Sequence, residues 1–390
     1  MISEKWVTDL EKEFPVAGRF AYFDIAYENC GADFHREALE QYLVDKQDLR
    51  PDMVKAGGNG KGRTIEVVER TREKLGRLIG ADSRNIAFTL NTTQGMDIIL
   101  QGFKFSEGDK VIVSSLEHVA VLIPVLGLRE KGVRVEVIEP LNGYYVTAEQ
   151  YMDAIDDDTR MVVFSYVQSN CGYRIDAEKL IDACHEKNVF AVSDVIQAIG
   201  FTDIDINRLR FDAMCACCYK GLLGPEGVGF VYVRDELLRG LVPVFSGASA
   251  GTSLNRQTME VTFDDLNASK LEAGTLPFIG TYMLEKGLDR LLSIGMVNIM
   301  EHIKKCFDVI RNGLAEAGYE TAFEYTDVNS CHSMLIKVED CDEAYRYFTE
   351  SGVYVSKSLN DTLRVSVAPF TTEKSIDRLL SVAKKYLHHE

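Results

Sequence analysis

Phe190-Ala191-Val192-Ser193-Asp194-Val195-Ile196-Gln197 and Ala213-Met214-Cys215-Ala216-Cys217-Cys218-Tyr219-Lys220-Gly221 are the two stretches on which the reading of this chain turns. Each is a short apolar run that ends in a charge, an acid in the first and a lysine in the second. Continuous apolar runs of this length suit strands covered on both faces. The same pattern predicts strands at Asn85–Leu90, Lys110–Ser115, Arg134–Glu139, Met161–Val167, Phe190–Asp194, Ala213–Cys218 and Gly227–Val233. Helical periodicity lies between them, over Thr64–Ile79, Gln94–Gly102, Val119–Lys131 and Ala177–Lys187. Such alternation predicts an α/β fold whose large domain carries a mainly parallel seven-stranded sheet.

After about Gly274 the pattern changes. Helices are expected from Gly280 to Leu314, at Cys341–Gly352 and at Glu373–Leu387, with short strands at Ser333–Val338, Val353–Lys357 and Thr362–Val367. That is the pattern of a smaller α+β C-terminal domain. The expected organisation is an N-terminal segment, 1–50, lying on the small domain or the mouth of the site. A large domain over 51–275 and a small one over 276–390 follow.

A chain of 390 residues can bury about three quarters of its unfolded surface, so two domains are affordable in size. The 60 acids outnumber the 43 bases, and the net charge of −17 disfavours nucleic acid and anionic membranes as partners. No apolar run approaches the ~20 residues of a membrane span. The opening Met1-Ile2-Ser3-Glu4-Lys5-Trp6 lacks the order of a signal peptide. Nine scattered cysteines without paired zinc spacing read as reduced thiols rather than metal ligands, and a cytoplasmic location is expected. The Gly-rich stretch Ala56–Arg63 reads as a loop, and lacks the spacing of a P-loop.

In an open parallel sheet, ligands bind beyond the carboxyl ends of the strands. Four polar features fall there. Asn91-Thr92-Thr93-Gln94-Gly95 opens a helix, where hydroxyls and free N–H groups can cradle a phosphate or simply cap the helix. Ser114-Ser115-Leu116-Glu117-His118 places an imidazole after the next strand. Asp194 and Gln197 follow another, and Lys220 follows a fourth. A carboxylate and a lysine from neighbouring strands are what pyridoxal phosphate chemistry needs. The lysine forms the Schiff base, and the acid keeps the pyridine nitrogen protonated.

On these motifs the chain resembles the fold-type I pyridoxal phosphate enzymes of the class V aminotransferase group. That group contains cysteine desulfurases, C–S lyases, isopenicillin N epimerase and kynureninase. The resemblance runs from Tyr22-Phe23-Asp24 to Ser375-Ile376-Asp377. It implies that Thr92 and Thr93 hold the phosphate, with Cys217 where several members place a phosphate-binding Ser. His118 would stack on the ring, Asp194 would pair with the ring nitrogen, and Gln197 would bond the phenolic oxygen. Lys220 would hold the cofactor as an aldimine. Leu271-Glu272-Ala273-Gly274-Thr275 matches the segment whose Thr reaches the phosphate of a neighbouring subunit, which implies a homodimer with shared sites. Thr275 would cross over, with Gly247 as a second candidate. Arg364, in Leu363-Arg364-Val365-Ser366, would clamp a substrate carboxylate bidentately. Tyr219 and Asn29 join it as substrate-side residues, with Tyr27, Arg256 and the loop Ala56–Arg63 as further candidates.

The departures from that family matter. Desulfurases carry a nucleophilic Cys on a loop before the Arg strand, whereas Val353–Asp361 here contains none. Tyr219 stands where many members have His, and Ser169 stands where an Asn often meets the phenolic oxygen. The implied function is a pyridoxal phosphate enzyme acting on a small α-amino acid through Lys220. β-Elimination of the C–S lyase type, without a persulfide Cys, leads the alternatives. Amino transfer to a 2-oxo acid comes second and epimerisation third. A non-catalytic cofactor-binding protein is disfavoured, because a scaffold needs no carboxylate clamp opposite a Schiff-base lysine.

Overall fold

The computed structural model describes residues 4–47, 63–249 and 251–388. Most of the loop Ala56–Arg63 therefore lies outside the described residues. The strands are β1 (Ala21–Tyr22), β2 (Ile86–Thr89), β3 (Lys110–Ser114), β4 (Arg134–Ile138), β5 (Thr159–Ser165), β6 (Phe190–Asp194) and β7 (Ala213–Cys217). They continue with β8 (Gly229–Val233), β9 (Thr252–Asn255), β10 (Glu260–Phe263), β11 (Ser333–Lys337), β12 (Val353–Tyr354), β13 (Ser356–Ser358) and β14 (Thr362–Ser366).

The seven expected strands form one sheet in the order β2-β8-β7-β6-β5-β3-β4. All run parallel except β8, which is antiparallel to both neighbours. β2, β3, β7 and β8 are buried at every position, as two-sided cover requires. β4 is the outer strand, and its alternation of exposed and half-buried residues shows it. Because the strands share a direction, Thr89, Ser114, Ser165, Asp194 and Cys217 all end on one edge. The site lies along that edge.

The small sheet, β11-β14-β13, is antiparallel and packs against the helix Cys341–Glu350, while the long helix Met296–Ala317 packs along the C-terminal helix Glu373–His388 and Phe278–Ile294 lies on the helices Arg63–Ile79 and Asp33–Gln47. The expected single strand Val353–Lys357 is two strands with different partners. β12 pairs with β1, and β13 pairs with β14. The break lets one short segment stitch the N-terminal stretch to the C-terminal sheet and then turn towards the site. An isolated bridge from Asp24 to Ser366 makes a second stitch. The hairpin of β9 and β10 and the helices Lys5–Lys12 and Asp33–Gln47 are additions to the expected set.

Two glycines fix how closely the loops at the sheet edge approach. A Cβ on Gly221 would stand 2.2 Å from the Ile199 carbonyl oxygen, and one on Gly200 would stand 2.1 Å from that of Gly221. Backbone meets backbone there, which only glycine allows. The turn after Asp194 and the turn after Lys220 are thereby pressed together.

Candidate active site

Two adjoining cavities open at the sheet edge, of about 270 Å³ and about 750 Å³. They share His118, Ser169, Tyr219 and Lys220 in their walls. The smaller one also reaches Thr92, Thr93, Asp194 and Cys217. The larger one reaches Tyr27, Gln197 and Arg364.

At the inner end, Asn91 caps the helix Thr92–Gly102 by accepting from the Gln94 N–H at 2.9 Å. The first N–H groups of a helix have no internal partner, so this end suits an anion. Thr92 is buried, and its hydroxyl accepts from the Cys217 N–H at 2.9 Å, tying the helix to β7. Thr93 is the exposed hydroxyl of the pair. The Cys217 thiol donates to the Val228 carbonyl at 3.3 Å, and burial raises its pKa.

Asp194 is 3% exposed, and its Oδ1 accepts from the Ile196 N–H at 2.9 Å. Burial pushes its carboxyl up to about 6, with Lys220 pulling weakly the other way. Lys220 is 7% exposed, and burial, followed by repulsion from Arg364, brings its amine down to about 7. A lysine so placed is a usable base or nucleophile near neutral pH. His118 accepts from the Ala120 N–H through Nδ1 at 3.1 Å, which leaves the proton of a neutral ring on Nε2. Desolvation, then Lys220 and Arg364, keep its pKa below the ordinary value.

Arg364 is buried on β14. Its Nε and one terminal nitrogen donate to Ser356 Oγ at 3.2 and 3.1 Å, and the other terminal nitrogen donates to the Ser169 carbonyl at 2.5 Å. Three of five N–H groups are thus used. One N–H on each terminal nitrogen is left, the fork a carboxylate takes. Gln197 Nε2 donates to the Ala26 carbonyl at 2.8 Å, while its Oε1 is buried without a partner. Ser169 Oγ is likewise unpartnered.

Asn29 lies apart from the cavity walls. Its backbone N–H donates to the Tyr219 carbonyl at 3.1 Å, and neither end of its buried amide finds a partner. Thr275 is exposed and absent from both cavity walls, so this chain's own site does not gather it. Gly247 lies against the same segment, where a Cβ would stand 3.2 Å from Gly274 Cα. Arg256 is exposed beyond β9, also outside both walls.

Four residues that sequence reasoning passed over contribute to the site. Glu117 is buried beside Ser165, and Asn170 donates to the Leu116 carbonyl at 3.0 Å. Ser356 holds Arg364, and Asp24 lies close enough to feel Arg364 and Lys220. Asp24 had a signal, an acid inside the apolar Tyr22–Ala26. Glu117 and Asn170 look like any polar loop residue until the loops meet, and Ser356 like any strand serine until β13 pairs with β14.

The residues fit a phosphorylated pyridine aldehyde. The chemistry it asks for is an anion cradle, an acid facing a cationic ring nitrogen, a neutral lysine and an acceptor or donor for an oxygen. The buried, unpartnered Gln197 Oε1 and Ser169 Oγ are polar atoms waiting for such a group. All nine cysteines are free, no metal-binding cluster occurs among the described residues, and no described helix is long and apolar enough to cross a membrane.

The chain is similar to several known proteins. A probable cysteine desulfurase of Methanothermobacter thermautotrophicus is 32% identical over 240 residues, 62% of this chain and 59% of that protein. An uncharacterised aminotransferase of Schizosaccharomyces pombe is 28% identical over 84% of each chain. The fold is shared with the apo cysteine desulfurase of Thermococcus onnurineus, at a TM-score of 0.87 and 20% identity over the full length of both. It is shared equally with the cystine C–S lyase C-DES in complex with its product cysteine persulfide, at 0.85 and 19% over 95% and 99%. The family model for aminotransferase class-V matches residues 52–379. The chain belongs to the class V aminotransferase family, and it is a pyridoxal phosphate-dependent enzyme related to the cysteine desulfurases and C–S lyases.

Proposed function

We propose that this enzyme cleaves a small sulfur-containing α-amino acid by β-elimination, without passing sulfur to a protein thiol. The observation that carries the reading is the stretch before Arg364. It is short, holds no cysteine, and is pinned by Ser358 Oγ donating to the Asn170 carbonyl at 2.6 Å. Of the nine thiols, only Cys217 lines either cavity, and it is buried and bonded to a carbonyl. A sulfur leaving the substrate therefore meets no thiolate and departs as a free product.

Each residue has a task in this reading. Arg364 takes the substrate carboxylate on its remaining fork and fixes Cα relative to Lys220. Lys220, neutral near pH 7, removes the Cα proton. Asp194 would oppose the ring nitrogen with its carboxylate, and His118 would stack on the ring. Thr92, Thr93 and the helix N-terminus would hold the phosphate, and Gln197 and Ser169 would hold the phenolic oxygen. Tyr219 walls both cavities between cofactor and substrate. When bound, pyridoxal phosphate supplies the electron sink beside Cα.

The exposed apolar side chains Leu90, Val119, Ile123, Val244 and Phe245 support a homodimer. Leu90 and Val119 adjoin the cofactor-side residues Asn91 and His118, and Thr275 would come to that end from a second copy.

The test is to incubate the holoenzyme with cysteine, cystine and a thioether amino acid and to assay pyruvate, ammonia and sulfide. Product above that of a Lys220→Ala control is expected. A pyridoxamine half-reaction that turns over only with a 2-oxo acid would establish amino transfer instead, and solvent deuterium at an inverted Cα would establish epimerisation.

A further inference from the structure

Glu117 is a buried acid that the proposed reaction leaves without a task. It lies in the loop between β3 and the helix Val119–Gly127, directly before His118, and is 7% exposed. Its carboxylate reaches across to the end of β5. Oε1 accepts the Ser165 N–H at 2.8 Å and the Tyr151 hydroxyl at 3.4 Å, and Oε2 accepts the Ser165 hydroxyl in a short bond. Ser165 is the last residue of β5 and pairs in register with Asp194 on β6. One side chain therefore links the loop that carries His118 to the strand end that carries Asp194.

The loop has other supports, but none reaches that strand end. Ser114 Oγ accepts the Leu116 N–H at 3.0 Å, and Asn170 takes the Leu116 carbonyl. Ser115 is bonded to the outer strand β4 and to Glu139 beyond it. Among the described residues no cation stands at ion-pair distance, so burying a carboxyl here is unfavourable. Simple space-filling would be met more cheaply by an apolar side chain. The titratable groups facing Glu117 are Asp194, Tyr151 and Cys171. Burial, with the Asp194 charge beside it, raises its carboxyl to about 7.

We infer that Glu117 is a positioning residue of the ring site: through Ser165 it holds His118 in register with Asp194, the two groups that would meet the ring face and the ring nitrogen of the cofactor. The inference rests on the roles given above to His118 and Asp194. It is the hydrogen-bonded reach of the side chain, rather than its charge, that does this. A glutamine has the same reach, with an oxygen for the Ser165 N–H and an NH₂ for the Ser165 hydroxyl. An aspartate keeps the acid but is one methylene short.

The experiment compares Glu117→Gln, Glu117→Asp, Glu117→Ala and His118→Ala with the unaltered protein. It measures the dissociation constant of pyridoxal phosphate and the near-UV circular dichroism of the bound cofactor. Glu117→Gln is expected to match the unaltered protein in both. Glu117→Asp, and Glu117→Ala if it folds, are expected to bind at least tenfold more weakly and to change the dichroic band as His118→Ala does. A Glu117→Asp protein with unaltered affinity and band overturns the inference, as does a Glu117→Gln protein as impaired as Glu117→Asp. If His118→Ala itself leaves both quantities unchanged, the ring-stacking role of His118 fails as well, and the two failures are told apart.

Discussion

Lys220 is the residue whose environment most changes its chemistry. Burial first, and Arg364 second, bring the amine to about 7, so it is protonated below that pH and a free nucleophile above it. The rate at which the apoprotein captures pyridoxal phosphate should therefore rise with pH around a midpoint near 7, followed by the absorbance of the bound form. A midpoint near the ordinary lysine value would contradict the burial argument. Arg364→Leu removes the repelling cation and should move that midpoint upward. Asp194→Ala should keep part of the cofactor affinity and lose on the order of 100-fold in turnover, because the charge opposite the ring nitrogen is gone. Near-normal rates in that variant would remove Asp194 from the mechanism. Lys220 and Asp194 were legible in the sequence because a charge that ends an apolar run is costly unless it has a purpose. Glu117 and Ser356 were not: Glu117 acquires its role from Ser165, 48 residues away, and Ser356 from the register in which β13 meets Arg364 on β14.

At the scale of elements, the contact between the turns after β6 and β7 sets how Asp194, Gln197 and Lys220 face one another. Gly221→Ala should force those turns apart, costing ~1–3 kcal/mol of stability, as overpacking in a tight core does. Urea unfolding of the apoprotein measures that cost, and a parallel loss of cofactor affinity is expected. No change in either would show that the backbone contact has room to relax. The buried strands were readable from sequence because both faces are covered and the apolar run is unbroken. The hairpin of β9 and β10 was not, because its side chains are mostly exposed and carry no core signature. The run Val353–Lys357 was read as one strand. Periodicity registers extended backbone but does not say which neighbour supplies the hydrogen bonds.

At the scale of the whole molecule, Thr275 is exposed and outside both cavity walls, and the proposed homodimer would bring it to a second site. Sedimentation should give twice the mass of the 43.7 kDa chain. Mixing Lys220→Ala with Thr275→Ala subunits should yield activity well above the mean of the two parents, because each mixed dimer has one site with both residues intact. Activity equal to that mean would count against a crossing Thr275.

The seven buried strands of the large sheet, the charges at their ends and the lack of a loop thiol were settled by the sequence alone, because burial period and residue identity are local properties. Only the tertiary structure decided that β8 runs against its neighbours. It alone left a free fork on Arg364, drew Lys220 towards neutral pH, and joined Glu117 to the strand beside Asp194. These depend on which distant groups meet in a place without water, and no short stretch of chain contains that information.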